Sequence, residues 1–260
     1  MLDFRLLGPV EVWTGDRRLA LAGAASGKVR CVLAVLLRTP GAIVPTDALI
    51  ERVWNERQPG PAVRYKYIGW LRSALAPYDV VIAHRDGGYV LEVDDQQVDL
   101  HRFRSLIFQA RQAERTGAIG EMSRLVDEAL RQWRGPALCG LPGAWADLFR
   151  SQLEREHRAA RVLQARCAID LGLCGQAIDR LDEWETEYPV DEEVIGLRMI
   201  ALYGCGQHAE ALTSYERACR RLLDFLGTAP GHSLRAIHQR ILDRDPGLDA
   251  RSPANQEQLR

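Results

Sequence analysis

Hydrophobic and polar positions divide the chain into two regimes, a mixed one up to about residue 97 and a purely helical one from Val98 onward. "DFRLLG" and "VEVW" are rich in β-branched and aromatic residues, and "TGD" at Thr14–Asp16 is a turn before "RRLAL"; together they predict short strands over residues 1–22. "VRCVLAVLL", Val29 to Leu37, is apolar almost throughout and predicts a buried helix ended by Thr39-Pro40-Gly41. In "VPTDALIERVW" Thr46 is the predicted N-cap, and Leu49, Ile50, Val53 and Trp54 share one helix face. A third helix is predicted from about Ala62 to Leu75, "AVRYKYIGWLRSAL". Its apolar side is Val63, Tyr67, Ile68, Leu71 and Leu75; its other side is Tyr65, Lys66, Gly69, Trp70, Arg72 and Ser73. "VVIAHRDGGYVLEV" predicts a hairpin, with a strand to His84, a turn over Arg85–Gly88 and a strand from Tyr89.

The later segments "DLHRFRSLIFQARQAERTG", "EMSRLVDEALRQW" and "WADLFRSQLEREHRAARVLQARCAIDLG" show apolar spacing of i, i+3/i+4. "CGQAIDRLDEWETEYP" and "DEEVIGLRMIALYGCG" follow as a pair, and "QHAEALTSYERACRRLLDFLG" and "HSLRAIHQRILDRDP" complete the series. Two stretches, "LGLCGQAIDRLDEWETEYP" and "LYGCGQHAEALTSYERACRRL", end one helix at a small-residue turn and open the next with Gln-x-Ala or His-Ala-x-Ala. That is a degenerate form of the roughly 34-residue stacked helix–turn–helix repeat. The predicted organisation is a small mixed domain at 1–97, an all-α, tetratricopeptide-like domain at 98–245 and a short polar tail at 246–260. The junction "EVDDQQVDL" leaves almost no linker, which predicts packing of the two domains on each other.

Composition adds limits. At 260 residues the chain can bury sizeable cores, and 47% hydrophobic with 27% charged residues is ordinary for a soluble protein. No apolar run approaches the roughly 20 residues that span a bilayer, and "MLDFRLLGPVEV" lacks the apolar core of a signal peptide. The six cysteines form no Cys-x-x-Cys pair and read as small apolar residues of a reducing cytoplasm. His101, His157, His208, His232 and His238 are scattered, so neither a metal site nor a cofactor is expected. The net charge of −1 hides a basic window: between Ala24 and Ser73 eight basic residues face three acidic ones, a sign of a polyanionic partner.

The candidate chemistry begins at "GAASGKVR", Gly23 to Arg30, whose wording approaches a phosphate-cradling loop. A Walker loop needs four residues between its glycines and Ser or Thr after its lysine. Here three residues separate Gly23 from Gly27, and Val29 follows Lys28, so nucleotide hydrolysis is not expected and the chain is read as a non-enzyme. Lys28 and Arg30 near a helix N-terminus instead suit the phosphates of a nucleic acid backbone.

Three helices and a hairpin, with a cationic side on the third helix, describe a winged helix-turn-helix. In that reading Lys66 and Arg72 reach bases or phosphates, Tyr65 and Tyr67 donate hydroxyls to phosphate oxygens, and Arg85 at the hairpin tip enters a minor groove. A tryptophan on the polar side of a helix needs cover. Trp70 is expected either to stack on a base or methyl group, or to pack beneath the hairpin or the helical domain.

The blocks "LDFRLLGPVEV", "GKVRCVLAVLL", "VPTDALIERVW", "YIGWLRSAL", "GGYVLEV" and "VDLHRFRSL" resemble, in order, those of the actinobacterial antibiotic regulatory protein (SARP) family of transcription activators. "LRQWRGPALCGL", "RLDEWETEYPVDEEVIGLRMIALYGCGQHAEALTSYERACRRLLDFLGTAPG" and "LRAIHQRIL" look like its bacterial transcriptional activation domain. The resemblance covers residues 1 to about 245. It implies an OmpR-type winged helix joined to a tetratricopeptide-like domain, double-stranded DNA with direct repeats as target, a dimer on that DNA, and RNA polymerase holoenzyme as partner. Family members usually carry more arginine and threonine on the third helix. Gly69 and Trp70 stand where arginine or a small polar residue is common, and Arg64 stands where an apolar residue is common. Larger relatives continue into an ATPase module, which this sequence is expected to lack.

The resulting expectation is a cytoplasmic, DNA-binding, pathway-specific activator of antibiotic biosynthesis. Its phosphates are held around Lys28, Arg30 and Arg64, and its bases are read by the exposed side of Tyr65–Ser73. Three rivals stand beside it: an effector sensor with a small-molecule site in the helical domain, a nucleotide hydrolase, and a protein-interaction scaffold.

Overall fold

The computed structural model describes residues 1–21, 27–55 and 60–248. The strands are β1 (Leu2–Arg5), β2 (Glu11–Thr14), β3 (Arg17–Arg18), β4 (Val44–Pro45), β5 (Val81–Arg85) and β6 (Gly88–Glu92). The helices are α1 (Lys28–Leu37), α2 (Thr46–Trp54), α3 (Pro61–Leu75), α4 (Asp99–Arg115), α5 (Ile119–Leu130), α6 (Ala144–Asp170), α7 (Cys174–Glu187), α8 (Glu192–Gly204), α9 (His208–Leu226) and α10 (His232–Leu242). The fold is mostly helical with two small sheets, and the segment from Asp99 is all-helical among the described residues.

One compact unit combines Met1–Ile107 with Glu128–Arg158. Its first sheet has the order β1-β2-β3, and alternation along β1 buries Leu2 and Phe4. Leu6 and Leu7 follow as buried residues. Their carbonyls accept from Leu138 N–H at 3.0 Å and Arg134 N–H at 2.8 Å, and Gly8 carbonyl accepts from Cys139 N–H at 3.1 Å. The stretch after α5 is thereby tied to the exit of β1. α1 is the centre of the unit: Val29 and Cys31–Leu37 are all buried, as an almost wholly apolar helix requires.

The second sheet has the order β4-β6-β5. Asp86 and Gly87, both at positive φ (47° and 75°), form the two-residue turn between β5 and β6, the primed geometry that matches strand twist. β4 is too short for a periodicity signal and was not expected from the sequence. It pairs Val44 with Tyr89 and Pro45 with Gly88. Thr46 is not an N-cap. Its hydroxyl donates to the Gly87 carbonyl at 2.7 Å, fastening the start of α2 to the hairpin turn.

The approach of β4 to β6 needs a missing side chain. A Cβ on Gly88 would lie 2.5 Å from the Val44 carbonyl oxygen and 2.7 Å from Ile43 Cγ2. Backbone cannot swing away as a side chain can. Gly88→Ala is expected to part β4 from β6 and cost about 1–3 kcal/mol. Faster hydrogen exchange at the paired amides of Val44 and Tyr89 would show it, and unchanged exchange and melting would contradict it.

The other compact unit combines Phe108–Asp127 with the described residues from Ala159 onward. α8 is its central helix, with Val194–Met199 and Ala201–Tyr203 buried. One cluster joins Trp184, Leu181 and Ala177 of α7 to Val194 and Leu197. A second joins Ile195, Met199 and Leu202 to Leu222 of α9 and Leu234 and Ile241 of α10. Asp191 caps α8, its carboxylate accepting from the N–H groups of Glu193 (3.1 Å) and Val194 (3.4 Å). Among the described residues no helix is long and apolar enough to cross a membrane.

Candidate nucleic-acid interface

α3 begins cleanly because Pro61 occupies its first turn, where a missing N–H costs nothing, with Gly60 at the N-cap. Ile68, Leu71 and Leu75 are buried, and α3 packs on α1 and on β5. Tyr65, Lys66, Arg72 and Ser73 are exposed, and Arg64, Tyr67, Gly69 and Trp70 are half-buried. Val63 does not join the apolar side. It is 40% exposed, because five residues before Ile68 places it about 140° round the helix.

Two of the three cations of this helix, Lys66 and Arg72, are engaged by the protein itself. Lys66 Nζ lies 4.8 Å from the centre of the Trp70 ring. The Trp70 ring meets Tyr67 edge-on at 5.3 Å, and Tyr67 meets Trp54 of α2 at 5.5 Å. Trp70 therefore takes its cover from Lys66 and Tyr67 of its own helix. Arg72 Nε donates to the Ile82 carbonyl at 2.8 Å, bracing α3 against β5. Arg85, near the hairpin turn, pairs with Glu92 at 2.7 Å.

At the start of α1, Gly27 adopts φ 69° and Lys28 turns inward. Its ammonium donates to the Val53 carbonyl, at the C-terminal end of α2 where unpaired carbonyls gather. Arg30 is half-buried, and its Nε has no hydrogen-bond partner among the described residues. Gly23 to Ser26, the rest of the glycine-containing stretch, lie outside the described residues.

The roles of four residues at or beneath this surface, Tyr89, Thr46, Ala62 and Val63, are not legible in the sequence. Tyr89 of β6 is buried, and its ring meets His84 of β5 at 4.9 Å. Burial pushes its phenol above the ordinary value. Tyr65 adds to that rise, and Arg72 and Arg64 oppose it. Thr46 sets the hairpin turn, as above. Ala62 and Val63 add an exposed apolar end to α3. Residue spacing along the chain carries no sign of Tyr89 or Thr46, because their partners are on other elements.

Among the described residues no group of three or more His, Cys, Asp or Glu could hold a metal. Cys31 is buried, and burial raises its thiol to about 11, far from a reactive thiolate.

A family model described as the bacterial transcriptional activator domain matches residues 98–242. The transcriptional regulator RedD of Streptomyces coelicolor is 32% identical over 259 residues, covering 95% of this chain and 72% of that protein. The chain belongs to the SARP family of transcriptional regulators. Another SARP relative, the regulatory protein AfsR of Streptomyces coelicolor, is 34% identical over 98% of this chain, which spans 26% of its length. The transcriptional regulatory protein EmbR of Mycobacterium tuberculosis is 34% identical over 97% of this chain, which spans 66% of its length. A solved structure of that EmbR in complex with a low affinity phosphopeptide superposes with a TM-score of 0.90 at 31% identity, covering 99% of this chain and 69% of that one. The matched family and relatives are transcriptional regulators, and the nucleotide-hydrolase rival finds no support among them.

Proposed function

We propose that this SARP regulator is a sequence-specific, DNA-binding activator of a secondary-metabolite pathway. In this reading α1, α2, α3 and the β5–β6 hairpin form a winged helix of the OmpR type. α3 lies in the major groove, roughly 12 Å wide, and the hairpin lies beside it on the backbone. Molecules bind as pairs on direct repeats one helical turn, about 10–11 base pairs, apart. The helical segment from Asp99, tetratricopeptide-like in its stacking, recruits RNA polymerase holoenzyme, and the protein works at the nucleoid in the cytoplasm.

The observation that carries this reading is the solvent-facing side of α3. One helix presents Tyr65, Lys66, Arg72 and Ser73 to solvent, with its inner side anchored on α1 and its end braced to the hairpin by Arg72. Fluorescence anisotropy with DNA from upstream of the gene, at several salt concentrations, tests it. Affinity is expected to fall steeply with salt as counterions are released. Lys66→Ala is expected to weaken binding to all duplexes alike and to lower the salt slope by about 1. Lys28→Ala, by contrast, strips a donor from the Val53 carbonyl. Its expected effect is on stability, about 1 kcal/mol. Salt-independent or absent binding would overturn the assignment.

One observation favours a second reading, an effector sensor. Within the helical unit a cavity of about 630 Å³ is lined by apolar side chains, among them Leu197, Ile200 and Ile237, and by the charged Arg166, Asp170 and Glu192. Calorimetric titration of pathway metabolites separates the two readings, since heat coupled to a change in DNA affinity belongs only to a sensor.

A further inference from the structure

We infer that Ala62 and Val63, at the N-terminal end of α3, read the C5-methyl groups of thymine, so that the target carries A·T pairs where that end of the helix enters the groove. The inference rests on the proposed placement of α3 in the major groove and names what this chain selects there. Three observations carry it.

First, the N-terminal residues of a recognition helix are those that meet base edges, and Ala62 and Val63 fall there, in the first turn of α3. Both are exposed, Val63 to 40%, and α3 has no acidic residue in its first turn to keep bases and phosphates away. Second, two of the three cations of α3 that could select guanine, Lys66 and Arg72, are partly engaged within the protein. Lys66 lies over Trp70, and Arg72 gives its Nε to the Ile82 carbonyl. A bidentate guanine contact needs a freely directed guanidinium or ammonium. Third, the middle of the outer side is low. Ala62, Lys66, Gly69 and Ser73 follow one another along it at helical spacing, and a Cβ on Gly69 would meet nothing within 4 Å. A low strip lets the backbone come close to the base edges, which brings short apolar side chains such as Ala62 and Val63 within reach of a methyl group. Of the four base pairs' major-groove edges, thymine alone offers an apolar partner.

The test uses the full chain and a duplex selected by it from a random pool. That duplex is remade with deoxyuridine for every thymidine, which keeps base pairing and phosphates and removes the methyl groups. The wild-type protein is expected to bind the uracil duplex at least about four-fold more weakly, the equivalent of one buried methyl group. Val63→Ala, an exposed site where folding is not at stake, is expected to weaken binding to the thymine duplex and to shrink the thymine-to-uracil ratio. Equal affinity of the wild type for both duplexes overturns the inference and leaves DNA binding itself intact. So does a ratio unchanged by Val63→Ala, which would assign the difference to DNA shape. If no sequence is selected over random duplex, the placement of α3 fails, and this inference with it.

Discussion

Asp99→Ala is expected to lower the stability of the N-terminal unit by about 3–5 kcal/mol, the range for breaking a buried, hydrogen-bonded charge pair. Asp99 is fully buried at the start of α4. One carboxylate oxygen accepts from Leu6 N–H at 2.8 Å, the other accepts from Leu7 N–H at 3.0 Å, and the Arg134 guanidinium closes the cluster. Burial pushes the Asp99 carboxyl above its ordinary value, while Arg134 and the two peptide N–H groups pull it back. Truncation removes every partner at once. Two peptide N–H groups just past β1 lose their acceptor in a dry site, at about 1–3 kcal/mol each before relaxation, and Arg134 loses its counter-ion. Asp99→Asn keeps one acceptor but turns an amide NH2 toward donors, so its loss is expected to be smaller and still clear. Urea unfolding followed by far-UV circular dichroism reads both variants. An Asp99→Ala midpoint and slope equal to the wild type would mean that Leu6 and Leu7 find water instead.

Asp99 also shows where sequence reading stops. The periodicity of "VDLHRFRSL" places a helix there, and an aspartate at a helix start needs no further account. Leu6 and Leu7 lie more than ninety residues earlier and Arg134 lies 35 residues later, and no local spacing reports them. The same division runs through the candidate interface. α1, α2, α3 and the hairpin were legible because their signals are local: an unbroken apolar run, one-face spacing, and Asp-Gly between β-rich runs. The seven later helices were legible for the same reason. The directions of polar side chains were not. Lys28, next to a helix N-terminus in sequence, spends its ammonium on the far end of another helix, and Arg72 spends its Nε on a strand. Both contacts are made across elements. Val63 was misplaced for a different reason, since an apolar residue counted onto the nearest apolar face is counted by type and not by angle.

Arg198→Ala is the second large effect, expected at about 3 kcal/mol in the helical unit, and here packing outweighs charge. Arg198 is 7% exposed on α8. Its Nε donates to the Asp182 carboxylate and lies 3.4 Å from Glu185, and its other nitrogens approach Ser214 at 3.2 Å and Glu210 at 3.6 Å. It thus holds α7, α8 and α9 together. Burial works against its charge, and the three carboxylates more than restore it, so its pKa stands above the ordinary value. Removing the guanidinium would be ruinous if it stranded three buried carboxylates, but it does not. Asp182 and Glu210 are each 49% exposed at the side chain and turn to water, while Glu185 keeps Arg221 at 2.5 Å. What remains is the hole left by a long, buried side chain. Arg198→Met fills most of that hole without the charge, so it is expected to recover at least half of the loss in denaturant midpoint. If Met proves as damaging as Ala, the three carboxylates are not relieved by water, and the network holds the three helices by charge.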